Sequence, residues 1–167
     1  MFIKFIDVYP TLEKFLNLNL NKVQDIIKSL GLGFRGSHLF EIAERLKKEF
    51  NGKIPQELSD LKSLKGIGDY GANAILCFAY NQKRPLLDTN FIRLYERVFN
   101  IKPTTKTAKN DKFLWQFSED MLPETKFVEY NYGILDIGGN ICTNKNPKCE
   151  ICPLNQGCIS SVIMKKC

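Results

Sequence analysis

Four of the six cysteines lie close together near the C-terminus, where they could bind a metal centre. They follow the spacing C-x6-C-x2-C-x5-C and are Cys142, Cys149, Cys152 and Cys158. Four thiolates on one short loop can surround a single inorganic centre. Zinc sites built from four cysteines usually contain two close pairs, whereas only one close pair is present here. The pattern favours an iron–sulfur cluster that staples the loop, with zinc as the alternative.

A turn that contains two glycines lies between two helical patterns, in the run LKGIGDYGA from Leu64 to Ala72. Gly66 and Gly68 allow the backbone to turn sharply. The N–H groups at the start of the next helix can approach a phosphate. Taken alone, G-x-G more often marks an ordinary tight turn.

One carboxylate stands out because Asp88 opens a helix eighteen residues after Tyr70. An aspartate there can simply cap the helix by accepting backbone N–H bonds. The same placement suits a carboxylate that stabilises a developing cation, as in the cleavage of a glycosidic bond. The combination of Asp88 with the glycine turn and the cysteine loop favours catalysis.

The elements that must position these residues are helical nearly throughout. Apolar periodicity predicts an all-α fold, with Thr11 as an N-cap and a tail from Gly138 onward that is a loop. Arg93 and Arg97, one turn apart, are expected to pair with acidic neighbours. The predicted helices are 12–18, 21–30, 37–50, 57–64, 69–80, 88–99, about 108–121 and 124–137.

Composition excludes several classes of protein. The 167 residues are 44% hydrophobic and 25% charged, which is typical of a globular chain. No apolar run approaches the ~20 residues of a membrane span, and the first residues lack a signal-peptide pattern. We therefore expect an intracellular protein of the cytoplasm or nucleoid. The net charge of +6 permits a nucleic-acid partner without requiring one.

The order of these motifs, with the run LDTNFIR at Asp88, resembles the helix-hairpin-helix base-excision DNA glycosylases. It is similar to their iron–sulfur branch, which contains endonuclease III, the adenine glycosylase MutY and the archaeal G·T-mismatch thymine glycosylases. The resemblance runs from about Phe5 to Cys158. It implies a helical part over 1–106, with the helix-hairpin-helix at about 57–80, and C-terminal helices with a [4Fe–4S] loop over 107–167, packed as one unit.

The resemblance also implies roles for individual residues. Asp88 corresponds to the catalytic carboxylate, and Asn90 supports it or the nearby DNA. The hairpin would grip a phosphate of double-stranded DNA, with room for a monovalent cation on its carbonyls, and the protein would act as a monomer. The implied DNA contacts are Lys65, Gly66, Ile67, Gly68, Asn90, Lys145 and Lys148.

Tyr70 separates the branches of the family. Bifunctional members carry a lysine there, whose amine forms a Schiff base and cleaves the strand. Tyrosine cannot do this, so Tyr70 implies a monofunctional enzyme that leaves an intact abasic site. The run DTN at Asp88 is closer to the thymine glycosylases than to the DGN of MutY-like enzymes. Thymine or uracil opposite guanine is the expected substrate, with MutY-like removal of adenine as the alternative.

Two departures from the family pattern bear on activity. Lys65 replaces the usual proline of the hairpin, which adds a candidate phosphate contact. The segment from Met1 to Asp7 resembles the end of a helix that lies well inside family members. The chain is therefore also compatible with a truncated, non-catalytic DNA-binding remnant.

Overall fold

The computed structural model describes residues 2–17, Val23 and residues 36–164. These residues form helices and turns and no strand, so the predicted all-α class is confirmed. The α-helices in the described residues are α1 Phe2–Val8, α2 Leu12–Leu16, α3 Gly36–Glu49, α4 Leu58–Ser63, α5 Asp69–Tyr80, α6 Thr89–Phe99, α7 Lys112–Asp120, α8 Phe127–Asp136 and α9 Ile159–Met164.

Most of the predicted helices are confirmed within one to three residues. The predicted cap of α2 is also confirmed, since the Lys14 amide donates to Thr11 Oγ1 at 3.2 Å. The helix predicted over 21–30 lies outside the described residues. The tail predicted as a loop contains a π-helical turn at Ile137–Ile141 and the helix α9, so that prediction was wrong for these two segments.

The described contacts divide the chain into two compact units, 1–72 and 73–167. The division falls after Ala72, inside α5. The sequence analysis divided the chain at residue 106 instead, by the roles of its residues: the hairpin and Asp88 before it, the cysteine loop after it. That division stays a prediction.

The first unit has an aromatic core. Tyr9 and Phe15 are buried, and Phe5 packs against both rings, with ring centroids 5.2 Å from Tyr9 and 5.9 Å from Phe15. Ala43 of α3 is buried in the same cluster. This packing fixes the position of α3 within the unit.

The second unit is built around α6. Residues three and four apart along this helix are buried, which places one face in the core. The buried cluster of this unit is Leu86, Leu87, Phe91, Leu94, Tyr95, Val98, Leu114 and Ile134. Burial raises the pKa of Tyr95 above its ordinary value, and its hydroxyl donates to Ser118 Oγ at 3.0 Å. Ser118 in turn donates to the carbonyl oxygen of Leu86 at 2.7 Å.

None of the helices in the described ranges is both long enough and apolar enough to cross a bilayer.

Candidate active site and cysteine loop

The hairpin between α4 and α5 presents open backbone donors. Gly66 has a φ of +81°, a left-handed conformation that glycine adopts without strain, and the Ile67 amide donates to Leu64 O at 3.1 Å. Gly66 and Gly68 are exposed. Their amide N–H groups make no hydrogen bond within the described part of the chain. The start of α5 is therefore accessible to an anion.

One face of α3 lies against this hairpin. A Cβ atom on Gly66 would lie 3.1 Å from His38 Nδ1, so the only histidine of the chain packs beside the turn. Lys65 Nζ lies 2.7 Å from Glu41 Oε1. Arg45 Nη1 donates to the carbonyl oxygen of Ser63 at 2.6 Å. The contacts of His38 and Arg45 hold α3 against the hairpin.

Tyr70 is the second residue of α5 and is 38% exposed. The preceding residue, Asp69, forms an ion pair with Lys62 of α4. This pair links the two helices that flank the turn. The phenol of Tyr70 thus lies in the first turn of a helix that a surface ion pair links to α4.

Asp88 is the N-cap of α6, as the sequence predicted. Its Oδ1 accepts from the amides of Asn90 at 2.8 Å and Phe91 at 3.0 Å. Its Oδ2 accepts from Asn90 Nδ2 at 2.9 Å. Asp88 is half-buried, and Leu86 and Leu87 immediately before it are buried in the core of the second unit. The chain fixes both oxygens of this carboxyl group.

Arg93, one turn further along α6, continues this network. Its Nη2 donates to Asn90 Oδ1 at 2.7 Å and to the carbonyl oxygen of Gly138 at 2.6 Å. Its Nε donates to the carbonyl oxygen of Cys142 at 2.8 Å. A planar guanidinium can serve several acceptors at once, whereas an ammonium cannot match this fork. Arg93 thereby joins the Asp88–Asn90 pair to the first cysteine of the loop.

Arg97 holds the beginning of the cysteine loop. Its Nη1 donates to the carbonyl oxygen of Thr143 at 2.7 Å and lies 3.4 Å from Cys142 Sγ. Its Nη2 donates to the carbonyl oxygen of Asn144 at 3.0 Å. The expectation that Arg93 and Arg97 pair with acidic neighbours was wrong, because neither forms an ion pair among the described residues. Most of their partners are backbone carbonyls, and the others are the Asn90 amide oxygen and the Cys142 sulfur.

The π-helical turn brings the chain very close to α6. A Cβ atom on Gly138 would lie 2.6 Å from Asn90 Cβ and 3.3 Å from Asn90 Cα. Only a residue without a side chain fits at this distance. Gly138 therefore permits the approach that lets Arg93 reach the carbonyl oxygens of Gly138 and Cys142.

The four clustered cysteines line one largely apolar cavity beside α6, together with Leu94, Val98, Ile137, Ile141 and Leu154. All four are half-buried and carry free thiols. The described residues contain no group of three His, Cys, Asp or Glu side chains close enough to hold a metal ion. The four thiols on a shared apolar cavity, with a guanidinium N–H beside one sulfur, nonetheless match the ligand chemistry of an iron–sulfur centre.

Lys145 and Lys148 lie on the loop between the first two cysteines and are exposed. The amide of Lys148 donates to Ile141 O at 2.9 Å, and Thr143 Oγ1 donates to Lys145 O at 2.8 Å. Neither ammonium group forms an ion pair in the part of the chain that the structure describes.

Residues 1–119 match the family model of the HhH-GPD superfamily base excision DNA repair proteins. The chain belongs to this family. It is 38% identical over 160 residues to the thymine/uracil-DNA glycosylase of Pyrobaculum aerophilum. The alignment covers 93% of this chain and 70% of that protein. It is 34% identical to the adenine DNA glycosylase of Buchnera aphidicola subsp. Acyrthosiphon pisum, with 98% of this chain and 47% of that protein covered.

The solved structure of a thermostable thymine-DNA glycosylase superposes with a TM-score of 0.84 and 29% identity, covering 99% of this chain and 75% of that one. The resemblance stated from the sequence is confirmed, as is the assignment to the DNA glycosylases of base excision repair. The individual site residues and the iron–sulfur centre stay predictions.

The contacts of Glu41 and Gly138 were not predicted from the sequence, and Arg93 was assigned acidic partners that it does not have. An arginine that binds backbone carbonyls has no oppositely charged partner in the sequence, so its contacts cannot be predicted from the spacing of charges. The glycine pair at 138–139 was a visible signal, but nothing in the sequence says which of the two lies against another helix.

Proposed function

We propose that the protein is a monofunctional DNA glycosylase that removes thymine or uracil opposite guanine. The observation that carries the proposal is Asp88, a half-buried carboxylate whose oxygens are both fixed by donors at the start of α6. The 38% identity to a thymine/uracil-DNA glycosylase supports the choice of base. Tyr70 supports the monofunctional assignment, since a phenol cannot form a Schiff base.

The reaction breaks the bond between the base and C1′ of the sugar. The bonding electrons leave with the base, and the sugar acquires oxocarbenium character. Asp88 stabilises this positive charge and orients a water molecule. The water oxygen then bonds to C1′, and its released proton balances the base anion, so that an abasic site and the free base result.

The chain's own residues place the DNA for this step. The amides of Gly66 and Gly68, which have no partner among the described residues, bind a phosphate on either side of Ile67. Hairpin carbonyls would hold the monovalent cation that the family resemblance implies. The target base leaves the helical stack before it reacts. Asn90 and Arg93 keep Asp88 in one orientation through the bonds described above.

The four cysteines would hold a [4Fe–4S] cluster, which supplies a rigid anchor for the loop rather than a redox step. Lys145 and Lys148 then contact phosphates from that loop. We also infer an intracellular monomer, because a repair glycosylase meets chromosomal DNA and one chain carries all the residues named here.

A second candidate is removal of adenine opposite damaged guanine, which the 34% identity to a Buchnera adenine DNA glycosylase favours. A third is a DNA-binding protein without catalysis. All three are separated by one experiment, single-turnover base release from duplexes that contain G·T, G·U or 8-oxoguanine·A.

Strand breakage that requires alkali, seen on G·T and G·U and lost in Asp88→Asn, is the expected result. Release on the 8-oxoguanine·A duplex alone would replace the proposed substrate by adenine. Binding without release from any duplex, by folded protein that carries its metal centre, would leave the non-catalytic role.

A further inference from the structure

We infer that Glu41 restrains the DNA affinity of the hairpin by holding Lys65, and that Lys65 exchanges Glu41 for a DNA phosphate when duplex binds. The inference rests on the proposed contact between the hairpin and a phosphate. All residues concerned lie in the first unit.

The ion pair between Lys65 and Glu41 is exposed, so another anion can replace the carboxylate. Lys65 Nζ lies 2.7 Å from Glu41 Oε1, and the two side chains are 53% and 44% exposed. Exposed ion pairs are weak and are screened by salt, so a phosphate can compete for the ammonium group. Lys65 directly precedes Gly66, whose N–H is open to an anion. A phosphate seated on the hairpin amides is therefore within the natural reach of the lysine side chain.

The position of Glu41 is fixed by its neighbours on α3. His38 packs against Gly66 three residues before it, and Arg45 binds the Ser63 carbonyl four residues after it. These two contacts fasten the same helical face to both sides of Lys65. Glu41 consequently meets Lys65 as a feature of the fold rather than as a chance surface encounter.

The other lysine next to the hairpin is neutralised as well. Lys62 pairs with Asp69, the first residue of α5. Both ammonium groups that flank the turn are thus matched by carboxylates before DNA arrives. The hairpin meets DNA through its backbone amides, and Lys65 adds its charge only after it leaves Glu41.

Two variants test this exchange in the full-length protein. Glu41→Gln frees Lys65 and should raise the affinity for duplex about 2- to 5-fold, the usual size of an exposed pair. Lys65→Gln removes one phosphate contact and should reduce the slope of log K against log salt by about 0.9. The probe is a fluorescein-labelled, undamaged 25-base-pair duplex, titrated by anisotropy between 50 and 200 mM NaCl.

Matched controls come from the same helix. Glu44→Gln changes the net charge by the same amount as Glu41→Gln, and Glu44 is exposed and forms none of the four ion pairs of the described residues. Lys47→Gln matches Lys65→Gln in the same way. Neither control should change the affinity by as much as 2-fold or alter the slope.

The inference is overturned if Glu41→Gln gains no more affinity than Glu44→Gln, or if Lys65→Gln keeps the slope of Lys47→Gln. Base release by the wild-type protein, measured in parallel, separates this failure from that of the proposed function. If wild type releases base but Lys65→Gln binds duplex with the same salt slope as wild type, only the exchange is rejected. If the wild-type protein binds no duplex, the contact between the hairpin and a phosphate is rejected, and with it both the exchange and the proposed function.

Discussion

The guanidinium of Arg93 lies 2.8 Å from the carbonyl oxygen of Cys142, the first cysteine of the loop. The same side chain donates to Asn90 Oδ1, and Asn90 donates to Asp88 Oδ2. Two side chains, those of Arg93 and Asn90, therefore connect the loop backbone to the proposed catalytic carboxylate of Asp88. Because each link is a directed hydrogen bond, we expect Arg93 to fix the orientation of Asp88 relative to the loop.

Replacing Arg93 by lysine should slow base release while DNA binding changes little. Lysine keeps the charge but cannot serve the carbonyls of Gly138 and Cys142 together with Asn90. Misplacement of a reacting group by about 1 Å costs up to roughly 100-fold in rate, so we expect a 10- to 100-fold loss in single-turnover rate. Arg84→Lys is the control, since the Arg84 guanidinium bonds to the Gln82 side chain and to no other group in the described residues. Equal losses in the two variants would contradict the positioning role.

Gly138→Ala should destabilise the protein and lower its activity. The added methyl group would lie 2.6 Å from Asn90 Cβ, which forces the turn or the start of α6 to move. Overpacking of this kind costs about 1–3 kcal/mol in the free energy of unfolding. Gly139→Ala provides the comparison, because a Cβ there would have no described residue outside its own helical turn within 4 Å. Thermal unfolding of both variants should show a lower Tm for Gly138→Ala alone.

Cys158→Ala should abolish the metal centre, whereas Cys77→Ala should not. Cys158 lines the shared cavity, while Cys77 is buried elsewhere and accepts from Asn131 Nδ2 at 3.3 Å. Wild-type protein reconstituted without oxygen should contain about four iron atoms per chain and absorb visible light. One zinc ion per chain without visible absorption would replace the cluster by the alternative site. Iron retained by Cys158→Ala, which has no donor atom in its side chain, would exclude this cysteine as a ligand.

The cysteine spacing, the hairpin and the cap at Asp88 could be predicted because each depends on residues close together in the chain. The contacts of Arg93 and Arg97 could not. Their acceptors are backbone carbonyls 45 to 49 residues away, and a carbonyl has no identity in the sequence. The same holds for the contact between Gly138 and Asn90, which depends on how two distant segments pack.

The start of α7 shows a local error with a local cause. The periodicity predicted one helix from Ala108, but Ala108–Asn110 is a short 3-10 turn and α7 begins at Lys112. Asp111 ends the turn and caps α7 by accepting from the Phe113 and Leu114 amides. Apolar residues at helical spacing lie on both sides of Asp111, so the periodicity alone predicts a helix that runs through it. An aspartate can instead cap a new helix, and the pattern does not distinguish the two.

Asp111 should also make stability depend on pH. Burial acts to raise the pKa of Asp111, but hydrogen bonds from Thr104, Thr105 and Leu114 outweigh it, and the net pKa lies below the ordinary value. A carboxyl with a lowered native pKa stabilises the fold above its unfolded pKa of about 4, and this contribution disappears as pH falls through the native value.

The free energy of unfolding in urea should therefore be larger for wild type than for Asp111→Asn at pH 7. The two free energies should converge toward pH 3. Glu119→Gln, an exposed change on α7, should track the wild type throughout. A difference between wild type and Asp111→Asn that stays constant with pH would mean that the hydrogen bonds of Asp111 do not favour its ionised form.

Tyr70→Lys should convert base release into strand cleavage. A lysine amine at this position can bond to C1′ as the base departs, and the resulting Schiff base allows elimination of the 3′ phosphate. Borohydride should then trap a covalent complex, and nicking should no longer require alkali. Tyr132→Lys is the control, because Tyr132 is 50% exposed on α8 and stacks on Phe78 with ring centroids 4.3 Å apart. If both lysine variants release base but neither is trapped, residue 70 lies out of reach of C1′, and Tyr70 loses its role in the proposed site.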